Sequence, residues 1–287
     1  MDKINVLRTG RSFAEPAEFC KNNARLKLYP NVNGEYFPIE EMVCTSHVFN
    51  PLGVEYAYGK TPKVFSEYGG YEISEEQKQL NNKERAVRRA KARLYELIRC
   101  NCDMNFFVTL TFSEDKVEDR TNYNDVIRIV NQWLNNRVKR NGLKYVGVAE
   151  RHKRGGIHFH FVVNDMLKNI DSGTVKCPGR KKPIKIATAD KYKISVDERK
   201  TVYNVADWHY GFSTSIAITG DDSHIKTAHY LVKYLSKNTD KIGGRYYFSG
   251  GHLLKPKYEY YNKDFNSIQS DYEFEVAGTK YKVRKFE

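Results

Sequence analysis

Hydrophobic and polar residues change period several times along the chain, and each change marks an expected element. Residues 1–75 carry the turn signals Asn33-Gly34, Asn50-Pro51 and Gly69-Gly70 between short apolar pieces of no clear period, so an irregular or β-rich appendage of unknown role is expected there. From Ser74 to about Arg99 the pattern is helical: Ser74 and Gln77 form a capping box, and neither Gly nor Pro interrupts the run. Over Asn105–Phe112, Val108, Leu110 and Phe112 alternate with Phe107, Thr109 and Thr111, the period of a strand. A helix over Tyr123–Lys139 follows, with Val126, Ile127, Val130, Trp133 and Leu134 at spacings that suit one buried face, and Asn141-Gly142 ends it.

Lys144–Glu150 and Ile157–Val163 read as the strands of a hairpin whose loop contains Gly155-Gly156. A Lys-rich insertion over about 165–205 comes next, and regular order is expected to resume only at a strand within Trp208–Ile218. A helix from about Asp222 to Asn238 and a short strand bracketed by Gly243-Gly244 and Gly250-Gly251 complete the pattern. Together these predict one α+β domain over residues 76–252, an antiparallel sheet with helices laid against it, followed by a C-terminal extension over 253–287.

Charge adds a partner to this picture. The 287 residues hold 48 Lys and Arg against 35 Asp and Glu, a net charge of +13, which favours a polyanion such as nucleic acid. The cations are densest on the first predicted helix: Lys83, Arg85, Arg88, Arg89, Lys91 and Arg93 fall within one eleven-residue stretch that holds a single acid. Such a surface suits phosphate contacts, although a merely solvated helix face carries charge in the same way. Cys20, Cys44, Cys100, Cys102 and Cys177 are read as reduced thiols. No apolar run approaches the roughly 18 residues of a membrane span, and no secretory leader pattern opens the chain, so no membrane partner and a cytoplasmic location are expected.

The candidate chemistry lies in two places. In Ile157-His158-Phe159-His160-Phe161, strand alternation sets His158 and His160 on one face, and a hairpin centred on Arg154 puts Glu150 opposite His158. Two imidazoles and a carboxylate leave coordination positions open, as at a catalytic metal, while histidines satisfied within a core would give the same His-x-His spacing. In the last helix, Ala228, Leu231, Val232 and Leu235 form an apolar stripe, and Tyr230, Lys233, Tyr234 and Lys237 form a polar one. A tyrosine hydroxyl titrates near pH 10, so as a nucleophile it needs an electrophilic phosphate, which a bound metal supplies, and the lysines can neutralise the charge that develops.

Three motifs in order, Phe107-Val108-Thr109-Leu110-Thr111-Phe112, His158-Phe159-His160 and Tyr230-Leu231-Val232-Lys233-Tyr234-Leu235-Ser236-Lys237, resemble those of the HUH endonucleases. The double-tyrosine helix is most similar to the rolling-circle replication initiators of microviruses and filamentous phages. That resemblance implies a ferredoxin-like sheet, Mg²⁺ or Mn²⁺ held by His158 and His160 with Glu150 as third ligand, and Tyr230 and Tyr234 as alternating nucleophiles. It further implies assistance from Lys233 or Lys237, a 5′-phosphotyrosine link, and a free 3′ hydroxyl that primes replication in a bacterial cytoplasm. A single-stranded DNA origin, a host DNA polymerase and a helicase would be the partners. An HUH transposase or relaxase shares the metal pair, and a non-enzymatic nucleic-acid-binding module would use Phe107, Phe159 and Phe161 to stack bases.

Overall fold

A computed structural model describes residues 23–44, 75–152, 155–220, 223–237, 241–276 and 279–286. In chain order the strands and helices are β1 (Asn23–Pro30), β2 (Tyr36–Cys44), α1 (Glu75–Arg99), β3 (Phe106–Leu110), α2 (Tyr123–Asn141), β4 (Tyr145–Arg151) and β5 (Ile157–Val163). Then come β6 (Asn169–Lys176), β7 (Ile184–Lys185), α3 (Ile186–Lys191), β8 (Lys200–Val205), β9 (Ser213–Ala217), α4 (Ser223–Lys237), β10 (Phe248–Gly250), β11 (Lys257–Asn262), β12 (Tyr272–Val276) and β13 (Thr279–Lys285). The chain divides into two compact units, one of residues 1–77 with 256–287, the other of residues 78–255.

In the second unit the sheet order is β10-β4-β5-β3-β9-β8-β6-β7, and every neighbouring pair is antiparallel. This is the expected α+β architecture of an antiparallel sheet with helices against it. Because β5 lies between β3 and β4, β3–α2–β4 is a split β-α-β unit of the ferredoxin-like kind. A second crossover, β9–α4–β10, starts from a strand running opposite to β3 and travels toward the same edge. Right-handed crossovers from oppositely directed strands must use opposite faces, so α2 and α4 cover different sides. The packing follows suit. Val126, Val130, Trp133 and Leu134 of α2 bury against Val108, Leu110, Phe159 and Phe161, whereas Ala228, Leu231 and Leu235 of α4 join Leu94, Leu97 and Ile98 of α1 over Val146, Val148 and Val162.

Local signals set the ends of these elements. Asn122 caps α2 by accepting from the Asn124 amide, and Gly142, at φ 71°, takes the left-handed conformation that closes it. The hairpin register pairs Glu150 with His158 and Val148 with His160. It depends on Gly147, where an added Cβ would stand 2.3 Å from the His160 carbonyl oxygen and 2.2 Å from Phe161 Cδ1. Gly147→Ala is therefore expected to destabilise the unit by about 3 kcal/mol through overpacking, a loss that urea unfolding would read directly.

The 165–205 insertion departs from expectation. Instead of irregular chain, β6, β7 and β8 lengthen the sheet beyond β9, and Val175, Cys177 and Ala189 make a small core beneath them. The strand signal is weak because β6 is polar along most of its length and its register shifts between Asp171 and Thr174.

In the first unit, the segments flanking residues 76–252 meet in a five-stranded antiparallel sheet of order β11-β1-β2-β13-β12. One face carries its core, in which Ala24, Val43 and Ile268 pack with Tyr261 and Phe265. Ser74 of the expected capping box lies outside the described residues, as does Cys20; Cys44, Cys100, Cys102 and Cys177 are free thiols. Among the described residues no helix is long and apolar enough to cross a membrane.

Candidate active site

Strand alternation turns Ile157, Phe159 and Phe161 into the α2-side core and leaves His158 and His160 on the α4 side. His160 is buried and uses both ring nitrogens: Nε2 lies 3.1 Å from Glu150 Oε2, and Nδ1 lies 3.1 Å from Thr109 Oγ1. Thr109 reaches it because β3 pairs with β5 in the register that sets Thr109 opposite His160. A hydroxyl donates or accepts equally well. Thr109 can therefore donate to Nδ1 while Nε2 holds its proton toward Glu150, or accept from Nδ1–H when Nε2 is engaged otherwise.

His158 is half-buried, and its ring stacks on that of His152 at 5.3 Å between centroids. Burial, followed by the neighbouring imidazoles of His160 and His152, holds its pKa below the ordinary histidine value against the opposing pull of Glu150. Its ring is thus uncharged at neutral pH, with one nitrogen free of a proton, the state that binds metal.

Helix α4 crosses above these groups because it must travel from β9 to β10 over β3, β5 and β4. The Tyr234 ring stacks on His160 at 4.4 Å and 18°, and its hydroxyl lies 2.6 Å from that of Tyr230. Phe107 completes the cluster, stacked on His160 at 6.0 Å and edge-on to Tyr230 at 5.5 Å. Burial, then the Tyr230 hydroxyl and the Glu150 carboxylate, raise the Tyr234 pKa well above the usual phenol value. Tyr230 is 49% exposed and Lys233 is exposed. The Lys237 side chain lies outside those described.

Glu150, His158, His160, Tyr230 and Tyr234 therefore gather at one place. Among the described residues, however, no three His, Cys, Asp or Glu side chains are disposed as they stand to surround an ion. The hydrogen bond between His160 and Glu150 closes the position between their donor atoms. The donor set still fits a divalent cation: a neutral imidazole faces a carboxylate, and its far nitrogen has a hydroxyl to fix its orientation, the arrangement usual behind a ligating histidine. Replacing the proton between Nε2 and Oε2 by a cation would require those atoms to part by about 1 Å, given ligand distances of about 2.1 Å each.

Beside His158 opens a cleft of about 390 Å³ lined also by Arg120, His152, Gly156 and Lys182, with no carboxylate in its lining. Neither Arg120 nor Lys182 stands out in the sequence, because both lie in loops brought to the hairpin only by the fold. Of the basic residues on α1, Arg85, Arg88 and Arg89 are exposed, whereas Lys91 and Arg93 are half-buried and Arg93 pairs with Glu96 at 3.5 Å. Phe159 and Phe161, considered above as base-stacking residues, are fully buried and cannot serve; Phe107 is only partly buried.

Residues 105–239 match the model of a family described as replication-associated protein, of the ORF2 type. The matched span runs from the residue before β3 to just past α4 and so takes in Thr109, Glu150, both histidines and both tyrosines. No curated protein and no solved structure matches the chain. Similarity to this family over the span that builds the site supports replication initiation as the process and DNA as the partner.

Proposed function

We propose that the chain is a strand-transferring endonuclease that nicks one DNA strand at a replication origin. The observation that carries this reading is the stacking of Tyr234 on His160, which holds two hydrogen-bonded tyrosine hydroxyls beside the His160–Glu150 pair. His160, His158 and Glu150 would hold Mg²⁺ or Mn²⁺. A cation there withdraws charge from a non-bridging oxygen of the scissile phosphate.

One tyrosine oxygen attacks phosphorus, the bond from phosphorus to O3′ breaks, and the leaving oxygen takes up a proton to become a 3′ hydroxyl. The 5′ side remains joined to the enzyme as a phosphotyrosine, and a host polymerase, with a helicase to open the duplex, extends the freed end. The second tyrosine supplies the hydroxyl for a later transfer, and Lys233 or Lys237 neutralises charge at the phosphate. The cleft formed by Arg120, His152 and Lys182 has the charge to hold the adjoining phosphodiester, and the exposed arginines of α1 add salt-sensitive affinity.

Incubation with a panel of single strands drawn from candidate origins and Mn²⁺, followed by a denaturing gel, should reveal a covalent protein–DNA adduct that chelation prevents. Tight binding without any adduct would sink the reading. Thr109→Val should lower Mn²⁺ affinity by about 10- to 100-fold, because the valine can no longer accept from Nδ1–H. Calorimetric titration measures this, and unchanged affinity would leave Thr109 a packing residue.

A further inference from the structure

We infer that the five-stranded sheet of the first unit is a second binding surface for single-stranded DNA, made by the face opposite its core. Directly paired residues of neighbouring strands share a face. On β11 and β1, Tyr258 pairs with Lys27 and Tyr260 with Arg25; on β12 and β13, Tyr272 pairs with Val283 and Phe274 with Tyr281. The remaining register, Arg25 with Met42 and Met42 with Val283, sets all of these on one face. Ala24 and Val43, which pair with each other, occupy the other face with the core.

This outer face is unusually aromatic for a surface. Tyr258, Tyr260, Tyr272 and Phe274 are 40%, 49%, 42% and 39% exposed, although alternation would normally set polar residues there. Tyr29 and Val283, on the same face, are buried among them. The rings are held in place: Phe274 and Tyr281 stack at 4.8 Å and 9°, and Tyr272 lies 6.3 Å from Phe274.

Cations alternate with the rings. The Arg25 guanidinium lies 5.3 Å from the Tyr258 centroid, and the Lys285 ammonium lies 5.5 Å from that of Tyr272. Among the described paired positions of this face the one carboxylate is Glu40, which Arg25 meets at 3.4 Å. Glu41, Glu259, Glu273 and Glu275 all fall by register on the core side.

A flat face with stacking rings at both edges, cations between them and acids sorted to the far side is what a strand of unpaired bases linked by phosphates requires. A protein partner would accept the rings without needing the charge sorting. The two aromatic edges, β11 and β12, are four strand spacings apart, or about 19 Å, so one strand crossing the sheet could engage both. The surface lies outside the span matched to the replication-associated family, and the inference stands apart from the nicking chemistry.

Fluorescence anisotropy of the full chain with labelled oligothymidylate of about 15 nucleotides tests it, with EDTA present so that no cleavage intervenes. Tyr258→Ala combined with Tyr260→Ala should weaken binding by about 10-fold or more, whereas the corresponding Phe pair, which keeps both rings, should stay within about 2-fold. A Tyr258→Trp variant gives a local reading: its emission should be quenched by the oligonucleotide, against a background in which Trp133 and Trp208 are buried. Unaltered affinity of the Ala pair together with unquenched emission from the Tyr258→Trp variant would overturn the proposal, and an adduct in the nicking assay would be unaffected by that outcome.

Discussion

His160→Ala is expected to lower strand cleavage by about 10³-fold or more while leaving salt-sensitive DNA binding nearly intact. The imidazole is the hub of the site, with Glu150 on Nε2, Thr109 on Nδ1 and the Tyr234 ring on its face. Losing the cation that it helps to hold removes several kcal/mol of charge stabilisation, and each 1.4 kcal/mol is a factor of about ten in rate. Binding rests on other groups, the exposed arginines of α1 and the cleft beside His158, so the affinity and its salt slope should change little. Parallel measurement of adduct formation and filter binding separates the two. Equal loss of both would mark His160 as a structural residue, with the cavity it leaves as the cause.

The second large effect concerns the tyrosine pair. Tyr230→Phe or Tyr234→Phe alone should leave one hydroxyl able to form an adduct but should stop the joining step that needs a second nucleophile. The double substitution should reduce adduct formation by at least about 10³-fold, because two groups that act as a unit fail together. The Phe substitutions keep the ring that stacks on His160, so loss of activity would not reflect loss of the cluster. Full joining activity in either single variant would reduce that tyrosine to a bystander. The two are not equivalent at the outset: Tyr234 is half-buried with its pKa raised, while Tyr230 is the more exposed.

What could be read in the sequence was local. The period of two placed His158 and His160 together, and a two-glycine loop fixed the register that sets Glu150 opposite His158. The period of 3.6 separated Leu231 and Leu235 from Tyr230 and Lys233 on α4. It placed Tyr234 less well, because that residue lies only about 60° from Leu231 on the helix wheel and turns inward onto His160. Thr109 and Phe107 were visible as the second face of a strand, but their contacts with His160 depend on β3 lying beside β5, a pairing between residues about 50 apart. The same limit hid the first unit, where β1 finds its partner β11 more than 200 residues away. In β6 the failure was of another kind: its side chains are mostly polar and its ladder is bulged, so the stretch has little period to read.

The crossover from β9 through α4 to β10 also has a bearing on when the site can exist during synthesis. The histidine hairpin is complete by Val163, but the tyrosines take their place above it only when α4 is anchored at both ends, the second being β10 at Phe248–Gly250. Contacts so distant in sequence close late, since the loop entropy must be overcome before they contribute. A nascent chain would thus carry its histidines for some eighty residues of further synthesis without the nucleophiles in place, and the capacity to cut DNA would appear only once the sheet has closed to its β10 edge.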